Sequence, residues 1–227
     1  MECLAEEKKN NIQINADSYT GLTEKSPVYE ALKRVFDILI SAVALVVLSP
    51  LFIVIAVFIK REDGGEVIFR QTRIGKCGKE FTMYKFRSMQ VNAEEKLNQY
   101  LSSNEIKGPA FKIKNDQRIT KVGRVLRHTS MDELPQLYNV LRGDMSIIGP
   151  RPPLVREVKQ YTEYQMHRLD VKTGLACYRE VMGRNNIRNF DDWVELDLKY
   201  IRERSLLTDL KIFLLMFKAV FTCEGAE

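Results

Sequence analysis

The sequence predicts an α/β (α+β) fold, mainly helical and of the monotopic membrane type. It would combine an N-terminal re-entrant helix–break–helix, a small β-hairpin or sheet, and amphipathic interfacial helices. Three observations predict it. Residues 38–59 form an uncharged apolar run with Ser49-Pro50 near its centre. Val67–Arg73 and Phe81–Met89 are strand-like and flank a glycine turn. Leu206–Phe221 is nearly all apolar, with Lys211 and Lys218 seven residues apart.

The composition is that of a folded chain: 45% hydrophobic and 29% charged residues, which excludes a mainly disordered protein. A formal charge of +5 suits an anionic partner, whether phosphate groups, a membrane surface or nucleic acid, without choosing among them. No recognised nucleic-acid motif accompanies that charge, so no nucleic-acid partner is expected. Cys3, Cys77, Cys177 and Cys223 lack zinc-finger or redox spacing. His128 and His167 are too few for a histidine metal site and read as structural or surface residues.

Residues 1–30 are polar and read as a flexible tail, its end marked near Ser26-Pro27, with no secretory signal. Residues 31–61 hold the apolar run. The 22 residues from Ile38 to Ile59 would extend about 33 Å as one straight helix, enough to span a bilayer. Pro50 argues for a kink, because it removes a backbone donor and clashes with the preceding turn. Ser49 is placed to bond a carbonyl that the kink frees. Lys33 and Arg34 precede the run, and Lys60 and Arg61 follow it. Basic flanks favour the cytoplasmic side, so a helix that enters, bends and returns keeps both pairs there. A straight span and a buried helix of a soluble domain are the other readings. Asp37, at the N-terminal edge of the run, is expected to pair with a nearby Arg or Lys.

Residues 62–227 would form the cytoplasmic part. In the second strand Phe81, Met83, Lys85 and Arg87 fall on one face. Lys85 and Arg87 would offer two charges to an anion, unless the strand is simply a solvated edge. Asn92–Leu101 looks helical, and Ser102–Asn115, with Gly108-Pro109, reads as a loop. The lysine spacing in Leu206–Phe221 suits a helix in the membrane interface. A core helix is the alternative.

The most informative stretch is Arg127–Pro153, RHTSMDELPQLYNVLRGDMSIIGPRPP. Ser130 to Glu133 has a capping-box pattern, with Leu134, Leu137 and Leu141 following at helical spacing. On the plain reading, Asp132 and Glu133 are acidic because helix N-termini favour acids. On the functional reading, the same place attracts phosphate and keeps an aspartate ionised and able to attack. One carboxylate could then be the nucleophile and the other hold a divalent metal. Pro135 is late for a helix capped at Ser130, so the helix would begin later or irregularly. A short strand, Met145–Ile148, leads into Gly149-Pro150-Arg151-Pro152-Pro153, whose stiffness suits an arginine held ready for a phosphate.

Asp116–Pro153 closely resembles the signature of the bacterial sugar transferase family, the monotopic polyprenyl-phosphate phosphoglycosyl transferases. Supporting matches are the Ser49-Pro50 break, Tyr84–Met89, Gly183-Arg184-Asn185, and Glu195-Leu196-Asp197 before Tyr200. The resemblance covers about residues 30–222. It implies Asp132 as nucleophile, Glu133 as the Mg2+-associated carboxylate, and Arg151 as a phosphate binder. Lys85, Arg87, Arg127, Arg184 and Asp197 fall at other positions of the implied binding region, and Ser49-Pro50 at the re-entrant break. The implied partners are a UDP-sugar, polyprenyl (undecaprenyl) phosphate and membrane lipids. The implied place is the cytoplasmic face of the inner (plasma) membrane, at the start of envelope or exopolysaccharide glycan assembly. The chain looks like the minimal form, without the extra N-terminal transmembrane helices of larger relatives. A homo-oligomer is compatible with all this. One departure stands out: the family's Trp-Ala-Gln-Val is here Tyr178-Arg179-Glu180-Val181. Two rival readings are a non-catalytic membrane-anchored scaffold and a glycosyltransferase that releases UDP.

Overall fold

The computed structural model describes residues 25–93, 95, 105–110, 113, 116–181, 187 and 189–222. Most of the expected tail, most of the helix expected at 92–101, and Arg184 lie outside the described residues. So does much of the loop expected at 102–115.

Helix α1 runs from Pro27 to Val47. Pro27 suits the first helical turn, where its missing N–H costs nothing, and the Ser26 Oγ accepts from the Val28 N–H. Leu48 interrupts the helix, and α2 follows at Ser49–Asp63, bent by 60° from α1. Pro50 would have donated to the Val46 carbonyl in an unbroken helix. Instead the Ser49 hydroxyl donates to that carbonyl at 2.8 Å. No single helix among the described residues is long and apolar enough to cross a membrane, whereas the bent pair passes that test together.

Strands β1 (Ile68–Ile74) and β2 (Glu80–Phe86) form an antiparallel hairpin. Phe52 of α2 meets Phe86 edge to face, and Ile55, Ile59 and Leu126 complete that small core. Helix α3 (Lys121–His128) lies so close to the chain after β2 that a Cβ on Gly123 would sit 2.0 Å from the Ser88 carbonyl oxygen.

The expected capping box is not formed. Ser130 has a left-handed backbone, φ 56°, and its side chain caps nothing. Met131–Glu133 make one 3-10 turn, and α4 begins only at Gln136, running to Arg142 behind Pro135. Gly143 closes α4 with φ 94°.

Strand β3 (Ser146–Ile148) pairs in parallel with β4 (Gly174–Ala176). Two short helices, α5 (Val155–Val158) and α6 (Glu163–Met166), lie between them in sequence. Then come α7 (Tyr178–Val181), α8 (Phe190–Glu203) and α9 (Leu206–Thr222). The main core gathers Met83, Leu137, Val140, Met145, Ile147, Ile148, Val194, Ile201 and Ile212 from these elements.

Helix α9 serves two environments. Asp209 and Ile212 are buried, while Leu207 is 77% exposed and Leu214 60%. On α1 and α2, Leu39, Val43, Val46, Ile53 and Phe58 are likewise exposed. The described residues therefore form a mixed structure of helices and two small sheets, with exposed apolar surface on α1, α2 and α9.

Candidate active site

Three segments bring the acidic pair to a cleft. The 3-10 turn carries Asp132 and Glu133, β2 carries Lys85, and the Gly149–Pro153 turn after β3 carries Arg151. The cleft has a volume of about 710 Å3, within the ~300–1,000 Å3 of a small-molecule pocket. In its floor is a narrower recess lined by Arg73, Lys85, Glu133, Gln136 and Arg151.

Asp132 is only 8% exposed yet lines the cleft. Its charge acts on Arg127: burial lowers the pKa of that guanidinium, and Asp132 and Asp116 oppose the shift. The Arg127 Nε donates to the Ser88 hydroxyl at 2.9 Å, which fixes the side chain across the α3 contact. Glu133 has a different partner. Its Oε1 accepts from the Lys85 ammonium at 2.7 Å, with both side chains mostly buried. Asn139 holds that pair in register. Its amide donates to the Thr82 carbonyl at 2.7 Å and accepts from the Tyr84 N–H at 3.1 Å, tying α4 to β2 one residue from Lys85.

Arg73 was not legible as a site residue. It is buried, and its guanidinium donates to the Pro152 carbonyl and to the Gln71 side chain. Burial and the neighbouring Arg151 push its pKa down to about 10, so it still carries charge at neutral pH. Arg118 lines the cleft too, held by both Asp116 oxygens.

Two residues of the expected binding region, Arg87 and Asp197, are already engaged with other partners. Arg87 lies just past the end of β2 and forms an ion pair with Asp63 of α2, with a further bond to the Glu66 carbonyl. It borders the cleft with its guanidinium already engaged. Asp197 stands behind the cleft wall, 3% exposed, paired with Arg168 at 2.6 Å. Burial opposes charge on Arg168, but Asp197 and Tyr161 hold its pKa above the ordinary value. Arg168 in turn donates to the Arg151 carbonyl at 3.4 Å, so Asp197 acts on the cleft through Arg168.

The Tyr178-Arg179-Glu180 departure also reaches the cleft. The Arg179 guanidinium lies 4.4 Å from the Trp193 ring centre, and both residues line the far wall. Tyr178 turns the other way and donates to Glu203.

Asp37 pairs with neither Arg nor Lys, contrary to the simple expectation. Its carboxylate accepts from the Ser146 hydroxyl and the Ile147 N–H of β3. Arg34, one turn earlier, donates to the Val140 and Leu141 carbonyls and caps the end of α4.

Residues 28–223 match the model of the bacterial sugar transferase family. The chain belongs to that family. Among its sugar transferase relatives is a galactosyl transferase, CpsE, of Streptococcus agalactiae, 45% identical over 198 residues; the match covers 86% of this chain and 43% of CpsE. Another is the undecaprenyl-phosphate galactose phosphotransferase of Salmonella typhimurium, 42% identical over 199 residues, 86% of this chain and 41% of that protein. The exopolysaccharide production protein ExoY of Sinorhizobium fredii is 38% identical over 204 residues, with 88% of this chain and 90% of ExoY covered. The chain spans less than half the length of the first two relatives. Within the sugar transferase match, the cleft draws its charged lining from segments as far apart as Glu66 and Arg179.

As for a metal, the described residues hold no group of three or more acidic, cysteine or histidine ligands. Mg2+ commonly needs only one or two carboxylates plus substrate phosphates. Glu133, with one oxygen on Lys85, fits such a shared site beside a diphosphate and does not form a dedicated cage.

Proposed function

We propose that this chain is a phosphoglycosyl transferase. It moves a sugar 1-phosphate from a UDP-sugar to polyprenyl (undecaprenyl) phosphate and releases UMP. The observation that carries this reading is the buried Asp132 in a cleft whose cations, Lys85, Arg127 and Arg151, converge from three segments. The names of relatives, an undecaprenyl-phosphate galactose phosphotransferase among them, support the substrate classes.

The Asp132 carboxylate attacks the sugar-bearing phosphorus. A bond forms from the carboxylate oxygen to phosphorus, and the bond from that phosphorus to the bridging oxygen breaks. The bridging electron pair leaves with UMP. An oxygen of polyprenyl phosphate then attacks the same phosphorus, the acyl phosphate bond breaks, and the carboxylate is regenerated. The product is polyprenyl diphosphate-sugar. Arg127 and Arg151 offset charge on the phosphoryl oxygens, the kind of positioning and electrostatics that dominates phosphoryl transfer. Lys85 fixes Glu133, which would hold a divalent metal ion with the diphosphate. When bound, that ion supplies further positive charge to the leaving group.

The acceptor is a lipid, which gives the apolar surface a role. The bent pair α1–α2 would enter one leaflet and return, with α9 lying in the interface. The cleft would then stand at the cytoplasmic face of the inner membrane, where a soluble donor and a lipid head group meet. Exposed Val43, Val46, Ile53 and Leu207 support this seating.

Asp132→Asn tests the chemistry. It should abolish UMP release and prevent trapping of labelled sugar phosphate on the protein, with the melting temperature unchanged. Full activity in that variant, or release of UDP by the wild type, would reject the mechanism.

A further inference from the structure

Arg151 follows β3 by three residues, so its turn is held from β3 on one side and, on the other, by Arg168, Arg73 and the Ile74 N–H on the Arg151, Pro152 and Pro153 carbonyls. Strand β3 is only three residues long, and the β4 segment holds it through the Ser146 N–H on the Thr173 carbonyl, the Gly149 N–H on the Ala176 carbonyl and the Gly174 N–H on the Pro150 carbonyl. Three contacts supplement the β4 pairing. Tyr200 donates to the Ile148 carbonyl at 3.2 Å. Asp37 Oδ1 accepts from the Ser146 hydroxyl at 3.0 Å and from the Ile147 N–H at 2.9 Å. Asp37 belongs to α1, on the other side of more than a hundred residues of chain.

Asp37 is 2% exposed. A buried carboxylate is costly unless its partners are in place, and an anchoring helix needs none. A serine or alanine would pack there at lower cost.

We infer that Asp37 is a positioning residue: from the first membrane helix it holds β3, and through β3 it aims Arg151 at the donor diphosphate. The helix pair is then part of the site and not only its anchor. This rests on the proposed role of Arg151, and the tests below separate the two.

Both donors use the same Asp37 oxygen, so an asparagine oxygen at that place accepts both. Asp37→Asn should therefore keep KM for the UDP-sugar within about twofold of wild type. Asp37→Ala should raise KM or lower kcat, together by on the order of ten- to a hundredfold, as small misplacements of binding groups do. KM does not depend on how much of the protein folds. Where Asp37→Ala yields no folded protein, Ser146→Ala removes one donor and should show a smaller loss of the same kind.

A double-mutant cycle decides whether the effect runs through Arg151. In an Arg151→Ala background, Asp37→Ala (or Ser146→Ala) should cost nothing further. Additive losses, or an Asp37→Asn as impaired as Asp37→Ala, would overturn the inference. Inorganic pyrophosphate binding, read as a shift in melting temperature, gives a second measure of the same cycle that needs no turnover. If the wild type released no UMP from any UDP-sugar, the functional reading would fall. Coupling of Asp37 to Arg151 in pyrophosphate binding would still uphold the positioning role, and its absence would reject it.

Discussion

Asp132 and Glu133 are neighbours with different surroundings, and this is what lets them do different work. The buried Asp132 is read electrostatically by Arg127, whereas Glu133 is tied to Lys85. Lys85→Met would leave the Glu133 carboxylate without its nearest cation and the diphosphate with one charge fewer. We expect kcat/KM for UMP release to fall about ten- to a hundredfold, with Lys85→Arg partly retaining it and both variants folding. Steady-state kinetics on the purified variants check this. An unchanged rate in Lys85→Met would remove Lys85 from the site. Much at this level was readable in the sequence: the acidic pair, Lys85 and the proline-framed Arg151 all face one cleft. Arg73, Arg118 and Arg168 were not readable, because isolated arginines in distant segments carry no local signal. Ser130 misled for a local reason. The pattern of a capping box was present, but the residue takes a left-handed backbone and makes no cap bond.

Among the elements, α4 and the hairpin depend on Asn139. Its side chain satisfies a backbone carbonyl and a backbone N–H of β2. Asn139→Ala leaves both without that partner, and the cost is about 2 kcal/mol from lost bonds to buried groups. Chemical denaturation measures it, and a loss well under 1 kcal/mol would contradict the tether. The segment before α3 offers a pH test. The Asp116 carboxyl is buried, which raises its pKa, but bonds from Arg118 outweigh burial and hold it below the ordinary value. Its contribution to stability is present above the unfolded aspartate pKa of ~3.9. It is lost as pH falls through the lower folded value. Asp116→Asn should therefore melt below wild type at pH 7, with the gap narrowing below about pH 4. A gap that stayed constant would speak against an ion pair. The hairpin and the break at Ser49-Pro50 were legible because turn and proline chemistry act locally. Strand β4 was not, since three residues give no periodicity and its partner lies 28 positions earlier.

For the molecule as a whole, the proposed membrane seating turns on how the bent helix pair would meet lipid. Its charged ends are bound to the rest of the protein: Arg34 caps α4, Lys33 pairs with Asp209, and Glu62 accepts from the first N–H groups of α3. A straight crossing would have to break one set of these contacts. In a background without native cysteines, Val28→Cys and Arg61→Cys should label from the same side of sealed vesicles, with membrane-impermeant reagent. Labelling from opposite sides would reject the re-entrant arrangement. The apolar run and its central proline predicted the helix–break–helix. What no local pattern could give was Asp37, whose partners sit on β3 and are set only by the tertiary fold.

The meeting of Gly149 and Gly174 limits how this chain can be altered. A Cβ on Gly174 would stand 2.0 Å from the Gly149 nitrogen, and one on Gly149 would stand 2.4 Å from the Lys172 carbonyl. Both contacts are with backbone, which cannot step aside as a flexible side chain can. Mutational libraries should therefore leave these two codons fixed and spend their diversity on side chains that line the cleft.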